Sequence, residues 1–132
     1  MIQGKVVRVL GYYRDPAFIE KVVGTFRKLW VDIYWMSVRR VDDKTNLYEI
    51  YLLAADVPNF KTAILNLSKT VEIEKVEVLE GAKLLEYTFD GLKITEGKRE
   101  GNGNYVFFIP ANINKIITYS WGEKSEQDIL RQ

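Results

Sequence analysis

Hydrophobic and polar residues recur along the first eighty positions with periods of two and about 3.6 in turn. This pattern predicts the order strand, helix, strand, strand, helix, strand. The first strand is expected over residues 5–13, followed by Asp15 as a helix N-cap and Pro16 at the first helical position. The helix has an inward stripe of apolar side chains at helical spacing, namely Phe18, Val22, Phe26 and Leu29.

The next elements are two strands over residues 31–41 and 47–54, joined by a polar hairpin loop. A second helix is predicted to begin after Asp56 as its cap, and a fourth strand covers residues 71–80. Several carboxylates of this fourth strand are expected on a solvated face or a sheet edge: Glu72, Glu74, Glu77 and Glu80.

This element order over residues 1–80 favours an α+β fold, a ferredoxin-like β-α-β-β-α-β sandwich. Two helices would cover one face of a four-stranded antiparallel sheet. The other face would be open, and it carries large side chains, which is typical of a surface for dimerisation, a partner or a ligand.

From Gly81 onward the pattern is that of short strands, so residues 81–132 are expected to form a β-rich C-terminal extension that packs on the first domain or on a partner. A helical pattern returns only in the polar tail after Gly122. The aromatic segment 105–109 is interpreted as a buried β-strand. The alternative is an aromatic RNA-binding strand, as in RRM domains.

Composition narrows the function classes. The 132 residues include no Cys and no His, which excludes thiolate nucleophiles, removes the commonest general base and metal ligand, and disfavours an enzyme. The net charge of +1 is spread along the chain, so nucleic-acid binding is not expected. No apolar run reaches the roughly 20 residues of a membrane span, and we expect a cytoplasmic protein without metal or cofactor.

A short apolar motif carries a resemblance to a known family. Val22-Val23-Gly24-Thr25-Phe26 is followed by Asp32-Ile33 and then Val38. Over residues 4 to 80 the chain resembles the ACT domain of the small, regulatory subunit of acetolactate synthase. That family has a Val-Ile-Gly-x-Phe helix core before an Asn/Asp-Ile. Core packing in any ferredoxin-like domain would also select such residues, and Gly24 is expected at a close approach of helix and sheet.

The resemblance implies a non-catalytic regulatory subunit of branched-chain amino-acid biosynthesis. Such a subunit forms a homodimer, acts on a catalytic partner enzyme and binds a small amino-acid effector. In the family the effector loop reads Asn-x-x-Gly, and alignment on Gly24 places Arg14 and Ala17 at those two positions. The implied effector-binding residues are therefore Tyr13, Arg14, Asp15, Ala17 and Phe18.

Two departures from the family leave alternatives open. Arg14 is either a receptor for a carboxylate or phosphate at the positive end of the helix, or a solvated loop residue beside the cap. Residues 81–132 are too short and too strand-rich for the family's second α/β domain. The alternative function is a ferredoxin-like RNA- or protein-binding domain without an effector. An enzyme using Asp, Glu or Lys is a third class.

Overall fold

The computed structural model describes residues 3–97 and 105–129, which form a mixed α+β structure with two helices and antiparallel sheets. The elements in chain order are β1 (Lys5–Tyr12), α1 (Ala17–Lys28), β2 (Ile33–Asp42), β3 (Leu47–Ala54), α2 (Phe60–Ser68), β4 (Ile73–Glu80), β5 (Lys83–Phe89), β6 (Ile94–Glu96), β7 (Tyr105–Ala111), β8 (Lys115–Ser120) and β9 (Glu123–Asp128).

The larger sheet has six strands in the order β2-β3-β1-β4-β8-β9, and each pair of neighbours is antiparallel. Strand residues with a period of two, such as Val7 and Val9 of β1, turn to one face and pack against both helices. Phe26 of α1 and Leu67 of α2 are completely buried there. The main core therefore lies between the two helices and one face of this sheet.

The smaller sheet has three strands in the order β6-β5-β7. It meets the larger sheet on the face away from the helices. There Val6, Leu53 and Leu79 form a second apolar cluster, against which Leu84 of β5 packs. The ring of Phe108 in β7 lies 6.4 Å from that of Trp35, edge to face. The face that the sequence left open is thus partly covered by the C-terminal half of the chain.

Both helices begin later than predicted. Asp15 does accept a hydrogen bond from the Ala17 N–H at 2.7 Å, but α1 begins at Ala17 rather than at Pro16. The prediction of Asp56 as the cap of α2 is wrong, because α2 begins at Phe60. Pro58 disfavours helical geometry in the residue before it, so the chain makes a turn before the helix can start.

The polar tail forms a strand where the sequence indicated a helical pattern. β9 pairs with β8 through a two-residue connection, Trp121-Gly122, in which both residues have positive φ angles of 51° and 83°. This geometry matches the right-handed twist of a hairpin, so the chain folds straight back along β8.

Gly24 does not mark a close approach of helix and sheet, and that expectation is wrong. A Cβ atom at Gly24 would meet only the Arg27 Nη2 atom, at 3.8 Å. The glycine that lies close to α1 is Gly11 in β1, where a Cβ atom would lie 2.7 Å from Phe18 Cε1 and 2.8 Å from the Glu72 carbonyl oxygen. Gly11 therefore lets the first strand approach α1 and β4.

Candidate functional site

The loop from β1 into α1 and the first turn of α1 carry the five residues that the resemblance implied for effector binding, and the two aromatic residues among them are packing elements. The Tyr13 ring stacks on Tyr48 at a centroid distance of 4.6 Å. Phe18 is buried and contacts both rings edge-on, at 6.1 and 6.3 Å. Together these three rings close the end of the core between β1, β3 and α1.

The polar part of this loop surrounds the first turn of α1. Arg14 and Asp15 are exposed, and Ala17 is half-buried. The Ala17 N–H donates to Asp15 Oδ1 at 2.7 Å, and the Phe18 N–H donates to the Asp15 carbonyl oxygen at 3.0 Å. Two donors that a bound anion would use at a helix N-terminus are therefore already occupied by Asp15.

Glu72 places a negative charge near the same loop. The Lys21 ammonium donates to Glu72 Oε1 at 2.6 Å, and this hydrogen bond lowers the pKa of Glu72 below its usual range. The charge of Arg14 contributes to the lowering. Arg14 and Lys21 are thus balanced by Asp15 and Glu72, and the loop has no net positive charge to attract an anion.

A charged cluster that the sequence did not predict crosses the face of the larger sheet away from the helices. Arg8 of β1 donates to Glu49 Oε2 of β3 and to Glu77 Oε1 of β4, both at 2.6 Å. Arg39 of β2 donates to Glu49 Oε1 at 2.9 Å, and the Tyr51 hydroxyl donates to Glu49 Oε2 at 3.3 Å. We call these five residues the Arg8 cluster.

The carboxylates of the Arg8 cluster are buried, which corrects the expectation for Glu77. Glu77 was expected on a solvated face or edge, yet only 8% of it is exposed, and Glu49 is 5% exposed. The reason is topological, because β8 pairs with β4 and makes β4 an interior strand. Glu77 therefore lies between β1 and β8, where a charge requires a partner.

Contacts within the Arg8 cluster shift the pKa values of three of its members, Glu49, Tyr51 and Arg8. Burial alone would raise the pKa of Glu49, but the hydrogen bonds and charges of Arg8 and Arg39 outweigh it, and the pKa is lowered. Burial and the neighbouring charge of Glu49 raise the pKa of the Tyr51 hydroxyl. Burial alone would lower the pKa of Arg8, but the hydrogen bonds that Arg8 donates to Glu77 and Glu49 outweigh it, and the pKa is raised. Because each shift favours the form already present at neutral pH, the cluster is suited to structure rather than proton transfer.

The smaller sheet presents an apolar surface on its outer side. Residues opposite one another in the register, such as Tyr87 and Phe107 or Phe89 and Tyr105, share this side. The exposed fractions are 67% for Ile94, 61% for Tyr105, and 52% for both Phe107 and Ile109. We call this surface the aromatic face; it consists of Leu85, Tyr87, Phe89, Ile94, Tyr105, Phe107 and Ile109.

The aromatic face corrects the expectation that segment 105–109 is a buried strand. The segment is a strand, but β7 lies at an edge of the smaller sheet, and only one side of that sheet meets the larger one. Phe108 therefore points inward to Trp35, while its neighbours Phe107 and Ile109 point to solvent.

A cavity of about 690 Å³ opens at the end of the larger sheet where β1 begins and β4 ends. Its floor is apolar and includes Val6, Leu53 and Leu79, while Asp56 lies at its rim. Lys5 and Glu80 form an ion pair of 3.3 Å in its wall. The size is in the range of small-molecule sites, and the lining combines apolar surface with charges of both signs.

Comparison of the chain with protein-family models, curated proteins and solved structures found no match. Within the described ranges, no group of three or more Asp, Glu, His or Cys side chains is placed to hold a metal ion. Neither of the helices in residues 3–97 and 105–129 has the length and apolar character needed to cross a membrane.

Proposed function

We propose that this protein is a non-catalytic regulatory module built on a ferredoxin-like, ACT-like unit. The element order of β1 to β4 with α1 and α2 supports this fold, as does the strand order β2-β3-β1-β4 with both helices on one face. Within the β-rich extension, β5, β6 and β7 form the smaller sheet, whereas β8 and β9 continue the larger one.

The observation that carries the functional proposal is the aromatic face. An apolar surface of this extent, half exposed on a chain that otherwise buries its core, is characteristic of a protein interaction site. The pKa shifts of Glu49 and Tyr51 each favour the form that is present at neutral pH, which favours a binding role over acid–base catalysis.

The regulatory mechanism that we propose is self-association, together with differential binding of a small effector to two arrangements of the dimer. The catalytic partner would be an enzyme such as acetolactate synthase, and the effector an amino acid. The loop at Arg14 is one candidate effector site. The cavity beside Asp56 is the second, since a branched-chain zwitterion needs an apolar floor and charges of both signs.

Calorimetric titration with the amino acids tests the effector part. We expect binding of at least one branched-chain amino acid. If the cavity is the site, Asp56→Asn weakens binding at least tenfold and Arg14→Ala has no effect. If the loop is the site, the two variants exchange behaviour. Absence of heat and of thermal shift with every amino acid would contradict effector binding and leave a module of assembly alone.

The second candidate function is binding of single-stranded RNA, which the aromatic face favours because bases stack on exposed rings such as Phe107 and Tyr105. The net charge of +1 is unfavourable for such binding. Fluorescence anisotropy with labelled single-stranded RNA at several salt concentrations tests this function. Binding that weakens with salt and is lost in Phe107→Ala would establish RNA binding through the aromatic face.

A further inference from the structure

We propose that the aromatic face is the contact surface between two copies of this chain, packed sheet against sheet about a two-fold axis. This inference rests on the proposed function, which requires self-association, and it identifies the surface through which the two copies associate. It differs from pairing through the larger sheet or the helices, because every residue involved belongs to β5, β6 and β7 of the extension.

The exposed area fits a dimer contact. The four most exposed members of the aromatic face are 52% to 67% exposed: Ile94, Tyr105, Phe107 and Ile109. With the half-buried members of β5, they leave about 600 Å² of apolar surface per copy. A specific interface buries about 800 Å² per partner. The charged and small residues at the rim of the face supply the difference.

Packing of the faces is favoured over pairing of the β7 edge. The Gly97 N–H donates to the Glu86 carbonyl oxygen at 2.8 Å, so the backbone polar groups of Glu86 are turned toward β6. In an antiparallel ladder, the backbone polar groups of successive residues point to opposite sides of the strand. The backbone groups of Phe107 therefore point toward β5, and the backbone groups of Phe108 and Pro110 point toward the free edge of β7. Pro110 has no N–H, and a proline at that position blocks continuous pairing with another strand.

The charges on this side of the sheet are self-complementary. Lys83 lies at the end of the face near Leu85, and Glu96 lies opposite Tyr87 on β6. A two-fold axis that passes between Leu85 and Tyr87 places the aliphatic pair of one copy, Leu85 and Ile109, on the aromatic pair of the other copy, Tyr87 and Phe107. The same operation brings each Lys83 toward the Glu96 of the other copy, so the two copies attract each other at the rim as well as at the centre.

Sedimentation equilibrium of the full chain at micromolar concentrations tests the inference. We expect a dimer for the unaltered protein. Phe107→Glu places a charge at the centre of the face and should weaken dimerisation at least tenfold. Val71→Glu is the matched control, because Val71 is 67% exposed but lies in the turn before β4, outside the face. Circular dichroism establishes that each variant remains folded.

A charge exchange keeps the inference falsifiable even if Phe107→Glu does not fold. Lys83→Glu and Glu96→Lys should each weaken the dimer several-fold, and the double variant should restore it. If the dimer persists in Phe107→Glu and in both single charge variants, the aromatic face is not the dimer interface. Self-association itself would still stand. A monomeric unaltered protein overturns both. Monomers that bind single-stranded RNA through Phe107 overturn the dimer surface in favour of the nucleic-acid function.

Discussion

Arg8→Met is the change that most severely tests the account of the sheet face. The Arg8 side chain is 25% exposed, and it holds Glu49 and Glu77, whose side chains are 6% and 11% exposed. Methionine keeps most of the apolar stem but removes the guanidinium, so two buried carboxylates lose their principal partner. We expect a large loss of stability with the fold retained.

The magnitude follows from the two contacts. Each charge-assisted hydrogen bond at 2.6 Å contributes about 1.5–3 kcal/mol, and removal of one partner of a buried ion pair costs about 3–5 kcal/mol. Glu49 retains Arg39 at 2.9 Å, whereas the ion pair left to Glu77 among the described residues is with Lys75, at 3.9 Å. We therefore predict a loss of about 3 kcal/mol, a large part of the 5–15 kcal/mol typical of a whole domain.

Urea unfolding at pH 7 followed by circular dichroism measures this loss, because urea, unlike guanidinium, does not screen charges. Arg39→Met is the matched control, since its side chain is 66% exposed and its ion pair contributes at most about 1 kcal/mol. The loss of unfolding free energy in Arg8→Met should be smaller at acidic pH, because the two carboxylates that have lost Arg8 become neutral there. If the Arg8 and Arg39 variants lose equal stability, the reasoning about burial is refuted.

Three further predictions follow from single residues. The folded pKa of Glu49 lies below its unfolded value of about 4.3. The ionised Glu49 therefore stabilises the fold above that pH, and this stabilisation is lost as pH falls through the folded pKa. Glu49→Gln should flatten the acid limb of a curve of unfolding free energy against pH. Gly24→Ala should stabilise the protein by about 1 kcal/mol in urea unfolding, because a Cβ atom there makes only an ordinary contact with the end of the Arg27 side chain. Gly11→Ala should destabilise it by about 1–3 kcal/mol through the clash with Phe18, and equal effects of the two changes would contradict the assignment of the close approach. Trp30 is 90% exposed at a φ of 58° after α1, so Trp30→Gly should raise the free energy of unfolding by about 0.5–1 kcal/mol, and a decrease would show that the ring makes a stabilising contact.

Local patterns predicted much of the secondary structure. The strand Leu47–Ala54 has the expected bounds, because alternation along a strand and adjacent turn residues are local properties of the chain. The start of α2 was misplaced for an equally local reason, since Pro58 limits the residue before it. β9 was missed because it is held by pairing with β8 rather than by an apolar pattern of its own.

The features of the candidate sites depend on which strands become neighbours. Glu77 is buried because β8 pairs with β4, across a long separation in sequence. A signal for the Arg8 cluster was present, since Arg8, Glu49 and Glu77 each interrupt an apolar strand, but the signs could be matched only once the strand order was known. The exposure of Phe107 likewise depends on which side of the smaller sheet packs inward.

We propose above that two copies of this chain meet through the aromatic face. The most direct measurement is an isotope-filtered NOE experiment on a mixture of labelled and unlabelled chains, which detects only contacts between copies. The account predicts cross-peaks from the methyl groups of Leu85 and Ile109 to ring protons of Tyr87 and Phe107 in the other copy. Cross-peaks confined to α1 or α2, or no contacts between copies in a folded sample, would contradict it.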